Sequence, residues 1–415
     1  MAWMPLLMII LFFFNISCSQ APVEEVFPQV SQECQSKALR GAYLVKWKNG
    51  SVEVYEGSSK REEVIRDFVS KNQNELDFVE PVFKIEVSKQ IKLSSTSPSW
   101  GLTNIEAQAL WDQNFYGKGV IVAVIDSGVD MEHPQLQHFF INKGEEGTDE
   151  QGEDKRFNGI DDDQNGYVDD YMGYDFIRNT PKVEDSLGHG THVTGIIAAQ
   201  KGPNGVQGVA PLAQILPLDF IGDEGYGLTS DALKAMDYAV SMGAQLINAS
   251  WGGGDCSTLL RDKIRSLQEK NILFITAAGN NSLNLDQVKS YPASFVLPSQ
   301  ITVGAISVFN QMAYFSNYGD RVVHLFAPGF DIESTVPGGT TASMSGTSMA
   351  APFVTGAAAL LLSTGETQDV QVIKRALLEG VTQDSNYHNQ TKGRLNVFKA
   401  YKKLKSLSST VQEAP

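Results

Sequence analysis

Four residues in this 415-residue chain stand where the local sequence could give them chemistry. Asp126 directly follows the β-branched run VIVAVI. His189 opens the apolar stretch GHGTHVTGIIAA. Asn280 closes ILFITAAG, and Ser348 lies in SGTSMAAPFVTG, just before GAAALLL. Taken singly, each has a plainer use. Asp, Asn and Ser cap helices and turns, and a histidine beside glycine is usually structural. Together they fit one reaction. A serine hydroxyl attacks a carbonyl only if an imidazole takes its proton and a carboxylate holds that imidazole's tautomer and steadies its cation. An amide side chain and the Ser348 backbone N–H, at a helix N-terminus, could then receive an oxyanion. The expected set is Asp126, His189 and Ser348, with Asn280 as the oxyanion donor. His192 shares the motif of His189, so composition alone leaves two candidate bases.

These residues must be positioned by elements. GVIVAVID, QILPLDFI, AQLINASW, NILFITAAG and ITVGAI are short β-branched runs of the kind buried on both faces of a parallel sheet. Amphipathic stretches such as SDALKAMDYAVSMG fall between them. The alternation predicts an α/β fold, a mainly parallel central sheet flanked by helices. Asp126, Ser250 and Asn280 fall at or near the C-terminal ends of strands, where sites in such folds gather. The run from Met349 to Leu362 reads as a buried helix, with Pro352 near its start.

Ahead of this domain the chain changes character. Residues 2–14 are almost unbroken apolar sequence, too short to span a bilayer and of signal-peptide length. Two processing routes fit residues 1–18. Asn15-Ile16-Ser17-Cys18 resembles a lipobox that would lipidate Cys18; alternatively Ser17 and Ser19 serve ordinary signal-peptidase cleavage. Either way export is expected, with a membrane contact only through such an N-terminal anchor. Residues 19–40 read as a linker. Residues 41–90 read as a small α+β domain, with a hairpin at Asn49-Gly50, a capping box from Ser59 to Glu62 and a returning strand in DFVEPVFKIEV. An integral N-terminal layer of the main domain is the other reading. The polar link 88–98 is a cleavage candidate. The main domain is expected over 95–405, with 406–415 a disordered tail.

The order Asp, His, Ser, with DSG, GHGTHVTG and SGTSMAAP, resembles the subtilisin family of serine proteases. NGVQGVAP, INASWGG and GRLNVFKAY extend the likeness over almost the whole main domain. The resemblance implies a serine endopeptidase of broad specificity with no organic cofactor. It assigns His189, not His192, as the base. It makes 41–90 an inhibitory propeptide removed by self-cleavage, so protein or peptide substrates and its own propeptide are the expected partners of a monomer. It also implies a groove. Ser250, Trp251 and Gly252 would pair with an extended peptide on one side and Gly225 and Gly227 on the other, with core packing an equal reading of the Trp251 side chain. Ala278 and Gly279 would wall a pocket beside Asn280, with Ser290 near its base. A catalytically inactive surface binding protein on the same scaffold is the alternative, disfavoured because all four catalytic positions hold the expected types.

Composition bounds the rest. Hydrophobic residues make up 42% and charged residues 20%, which is ordinary for a globular protein. The net charge is −15, and most of the excess lies in 144–185, which holds fourteen acidic and four basic side chains. That argues against a nucleic-acid partner and for a cation. Within it Asp161, Asp163, Asn165, Gly166, Tyr167 and Asp169 take the spacing of an EF-hand loop, so a structural Ca²⁺ held by Asp161, Asp163, Asn165, Tyr167 and Asp169 is expected. Met172 stands where that loop has its last carboxylate, and Asp170 is the nearest replacement. The family's usual calcium loop after the histidine helix has Gly202 at a ligand position and is not carried over. Cys18, Cys34 and Cys256 form no CxxC pair, which argues against a cysteine zinc site. Cys256 is either free or paired with Cys34.

Overall fold

The computed structural model describes residues 38–87, 100–202, 205–253 and 255–412, together with Val26. The apolar leader, Cys18, Cys34 and the link 88–98 lie outside the described residues. The chain divides near residue 81 into a small unit and a large one.

In the small unit, the alternating runs around Asn49-Gly50 form an antiparallel hairpin of β1 (Ala38–Trp47) and β2 (Val52–Glu56), with Tyr43 opposite Tyr55. The Asn49 side chain accepts the Ser51 N–H at 2.9 Å and closes the turn. A helical stretch follows over 61–72. The capping expected between Ser59 and Glu62 sits one residue outward on both sides. The Ser58 hydroxyl accepts the Lys60 N–H and donates to Glu63. Val45, Val64, Val69, Leu76 and Val79 fill this unit's core. Leu76 opens β3 (Leu76–Glu86), whose second half belongs to the large unit.

The large unit is built on a nine-stranded sheet whose inner strands are all parallel. β4 (Ile121–Asp126) has β6 (Gln214–Asp219) and then β5 (Tyr174–Asp175) on one side. On its other side run β8 (Leu246–Ala249), β9 (Leu273–Ala277), β10 (Gln300–Ile306) and β11 (Leu325–Pro328). The order of winding reverses at β4, so the loops leaving β4 and β8 diverge and open a crevice at their C-terminal ends. Asp126 is the last residue of β4. Two short strands complete the sheet's far edge, and β12 (Ile332–Val336) and β13 (Thr340–Met344) form a separate antiparallel hairpin.

The helices follow the apolar spacing. α1 (His189–Ala198) packs against β4, β12 and α4 (Thr347–Leu362), and α4 lies across β8 to β11. All sixteen residues of α4 are buried, as expected of a helix apolar on every face. Between β7 (Tyr226–Leu228) and β8 runs α2 (Thr229–Ser241), followed after β8 by α3 (Thr258–Ser266). α5 (Val370–Glu379) and α6 (Val397–Gln412) close the unit. α6 corrects one expectation. The tail taken as disordered from 406 is helical to Gln412. Leu404 is buried and Leu407 packs on the same core one turn on, so the apolar face outlasts the predicted boundary.

Candidate active site

The site is assembled from strand ends and two helix N-termini. β4 delivers Asp126 and α1 delivers His189. Asp126 Oδ1 lies 2.6 Å from His189 Nδ1, and both side chains are buried. The same carboxylate oxygen accepts the Ser127 N–H at 2.8 Å. Burial alone would lower the His189 pKa. The charge and hydrogen bond of Asp126, with Asp185 adding to them, outweigh it and hold the pKa above its ordinary value. His189 Nε2 is buried and takes no hydrogen bond. It is the nitrogen left to exchange a proton.

His192 is three residues further along α1 and does something else. Its Nε2 lies 3.0 Å from the carbonyls of Ile332 and Ala342, on the two arms of the β12–β13 hairpin. Burial pushes its pKa down to about 3, so it is a neutral tie between α1 and that hairpin. Asp185, which the sequence reading did not single out, ties the other end. Its carboxylate accepts the N–H groups of Leu187, Gly188 and Thr191 and the Ser127 hydroxyl. It thereby caps α1 and fixes the loop after Asp126. An acidic residue just ahead of a glycine-initiated helix was the available signal.

Ser348 is held by reciprocal bonds with Ser250. Ser348 Oγ donates to the Ser250 carbonyl at 2.9 Å, and Ser250 Oγ donates to the Ser348 carbonyl at 2.8 Å. The second bond has a covalent cause. In a regular helix the N–H four residues on would satisfy the Ser348 carbonyl, but that residue is Pro352, which has none. The buried Asn248 amide donates to Ser250 Oγ and accepts from Thr355, so the bracket runs back into α4.

Asn280 is oriented in the same way. Its Oδ1 accepts both the backbone N–H and the hydroxyl of Thr347, at 2.8 and 2.9 Å. Thr347 Oγ1 in turn accepts the Gly279 N–H. With the oxygen committed, Nδ2 is the end of the amide left for the site. Gly346 directly precedes α4. Its φ of 167° is extended backbone, open to any residue. The need for glycine is spatial, because a Cβ there would lie 3.0 Å from Asn280 Nδ2.

The groove edges are occupied by the chain itself. Lys84, Ile85 and Glu86 pair antiparallel with Leu228, Gly227 and Tyr226. On that same side Val87 N–H reaches Gly225 O at 3.2 Å, and on the other side Glu86 and Gly252 exchange N–H···O bonds of 3.1 and 3.2 Å. An extended segment therefore lies between the two stretches expected to bind peptide, two residues along from Ser250. Ala278 is buried, with its carbonyl held by Asn317. Ser290 adjoins the cis Tyr291–Pro292 bond, and the Tyr291 carbonyl lies 3.5 Å from where a Gly252 Cβ would be. Trp251 is the exception. Its indole is buried between Phe220 and Phe274 and donates to Ile125 O at 2.7 Å, so its side chain belongs to the core and only its backbone borders the groove.

Residues 117–397 match the family model described as the subtilase family. The chain belongs to the subtilase family. As a subtilase it is a serine endopeptidase. Among curated proteins it is similar to subtilisin J of Geobacillus stearothermophilus, at 30% identity over 95% of this chain and 97% of that one. It is also similar to subtilisin of Bacillus pumilus, at 35% identity over 72% of this chain and 98% of that one. Among solved structures it resembles fervidolysin from Fervidobacterium pennivorans, described as a keratinolytic enzyme related to subtilisin. There the TM-score is 0.71 and the identity 25%, covering 91% of this chain and 62% of that one. A cold-adapted subtilisin-like serine proteinase matches with a TM-score of 0.54 and 30% identity, over 68% of this chain and 90% of that one.

This subtilase carries its acidic insertion between Asp126 and His189. Asp161 and Asp163 come together there with Glu145. One carboxylate oxygen from each of the three lies within 4.8 Å of the others. The other residues of that loop have these side-chain partners. Asn165 Nδ2 donates to Asp163 and Asp170. The Tyr167 ring packs edge-on against Tyr174, Phe176 and Tyr238. The Asp169 carboxylate accepts the Gly159 N–H at 3.0 Å. Asp170, the candidate replacement at the loop's end, is taken up by Asn142, Asn165 and the Tyr238 hydroxyl. Among the described residues Cys256 is exposed and has no disulfide partner. Among the described residues no helix is long and apolar enough to cross a membrane.

Proposed function

We propose that this subtilase is an exported, monomeric endopeptidase of broad specificity that cleaves peptide bonds through an acyl-enzyme on Ser348. The supporting observation is the extended segment 84–87, hydrogen-bonded along both groove edges next to the Ser250–Ser348 bracket. A peptide lying there gains affinity from its backbone, without a sequence demand. Ser348 Oγ turns from the Ser250 carbonyl to His189 Nε2 and gives up its proton as the new C–O bond forms. Asp126 steadies the imidazolium. The charge on the former carbonyl oxygen is met by Asn280 Nδ2 and the Ser348 N–H. As the C–N bond breaks, the imidazolium protonates the leaving amine. Water, deprotonated by His189, then repeats the addition and frees Ser348. The pocket walls, Ala278 and Gly279, are uncharged, which favours apolar side chains.

The small unit and β3 act as an inhibitory propeptide, and the leader directs export, with Cys18 as a lipid anchor. Fluorophosphonate labelling tests the nucleophile. Wild type is expected to label, and Ser348→Ala to stay unlabelled and accumulate as an uncleaved precursor. N-terminal sequencing of the mature enzyme is expected to place the cut within 88–98. A wild type that neither labels nor clips itself would sink the proposal.

A further inference from the structure

Glu145 sits in a short 3-10 turn (Lys143–Glu145), sixteen residues before Asp161. Its side chain is completely buried. Oε1 accepts the N–H groups of Asp162 and Asp163, at 2.9 and 3.3 Å. Oε2 is buried, has no hydrogen-bond partner, and belongs to the carboxylate that meets Asp161 and Asp163. A buried, unpartnered carboxylate oxygen costs free energy unless something compensates it. No ion pair involves any of the three among the described residues. The nearby Lys155 is turned to Asp162 and the Gly144 carbonyl.

We propose that Glu145, Asp161 and Asp163 bind one calcium ion, with Glu145 supplying the carboxylate that the loop itself lacks at its twelfth position. Three hard oxygen donors at this spacing suit Ca²⁺, which accepts several carboxylates in loose geometry, better than Mg²⁺, which keeps most of its water. The surrounding loop is wrapped for the purpose. The Asp161 oxygens receive the N–H groups of Asn165 and Gly166, and Asp163 receives those of Asn165 and the Asn142 amide. Gly144 permits the approach, since a Cβ there would overlap the Asp163 side chain. The ion's second sphere leads out of the insertion. Asn142 and Asn165 both bond Asp170, and Asp170 receives the Tyr238 hydroxyl at 2.6 Å. Tyr238 is on α2, the helix that starts directly after substrate-edge strand β7. The ion thus staples the insertion to the support of the groove. This inference stands apart from the catalytic reading.

The test uses the full chain carrying Ser348→Ala, which removes self-digestion as a complication, stripped of metal and then titrated with CaCl₂ and with TbCl₃. Thermal melting is expected to shift upward with calcium and saturate at one ion. Terbium luminescence sensitised by Tyr238 and its ring neighbours should appear with the same stoichiometry. Glu145→Gln, nearly the same in shape, should weaken binding ~10-fold or more, a range reached even by partners one shell further out. Asp169→Asn should bind as the parent does. Circular dichroism and the metal-free melting point establish that both variants fold. No calcium-dependent shift in the parent overturns the proposal, as does a shift that Glu145→Gln leaves intact or that Asp169→Asn abolishes.

Discussion

His189 and His192 occupy successive turns of one helix, both buried, and only their partners differ. His189 faces a carboxylate and His192 faces two carbonyls. The signs follow. The His189 pKa lies above 6.5, and only its neutral form can accept the serine proton. The acid limb of kcat/KM is therefore expected at a midpoint above 6.5, measured over a pH series with a short chromogenic peptide. For stability the two oppose each other. The raised His189 pKa favours the fold below 6.5 and loses that contribution as pH rises through the raised value. The lowered His192 pKa favours the fold above 6.5 and loses that contribution as pH falls toward about 3. Asn280→Ala should cost ~10²–10³ in kcat with little change in KM, the range found for the corresponding donor in subtilisin itself. A large KM effect with kcat intact would mean that Asn280 binds the ground state instead. Asp126, His189, Asn280 and Ser348 were legible because each is the end of a short apolar run. Glu145 was not. Fifteen residues of irregular loop separate it from Asp161, and no periodicity carries a contact across such a loop.

At the scale of elements, α4 and β8 share the burden of one missing N–H. Ser250→Ala leaves the Ser348 carbonyl buried without its donor and should destabilise by about 1–3 kcal/mol. Pro352→Ala restores an N–H at the right place in the helix. The cost of Ser250→Ala should therefore shrink in the Pro352→Ala background, a coupling that a double-mutant cycle on denaturation midpoints reads directly. Equal costs in both backgrounds would show that the proline is incidental. The strands of the main sheet were readable from their β-branched runs, and α4 from its length. Two further points turned on packing. Trp251 beside Gly252 fits the groove or the core equally well by sequence, until Phe220 and Phe274 enclose it. The polar run after Leu404 looks like a tail until Leu407 finds the core. In each case tertiary packing outvoted a local pattern.

At the scale of the molecule, the hydrogen bonds of 84–87 to Gly225, β7 and Gly252 join segments of one chain. The occupant of the groove is tethered to it, so its effective concentration is set by chain geometry and not by how much protein is present. Activation should therefore begin with a first-order lag. Diluting the precursor a hundredfold is expected to leave that initial lag time unchanged, followed by active-site labelling. A lag that lengthens in proportion to dilution would mean that one molecule releases another. An added peptide faces the same arithmetic and must outcompete a neighbour that never diffuses away. Under the proposed maturation, the first substrate would also be the competitor that keeps the enzyme silent, its timing set by the length of its own chain.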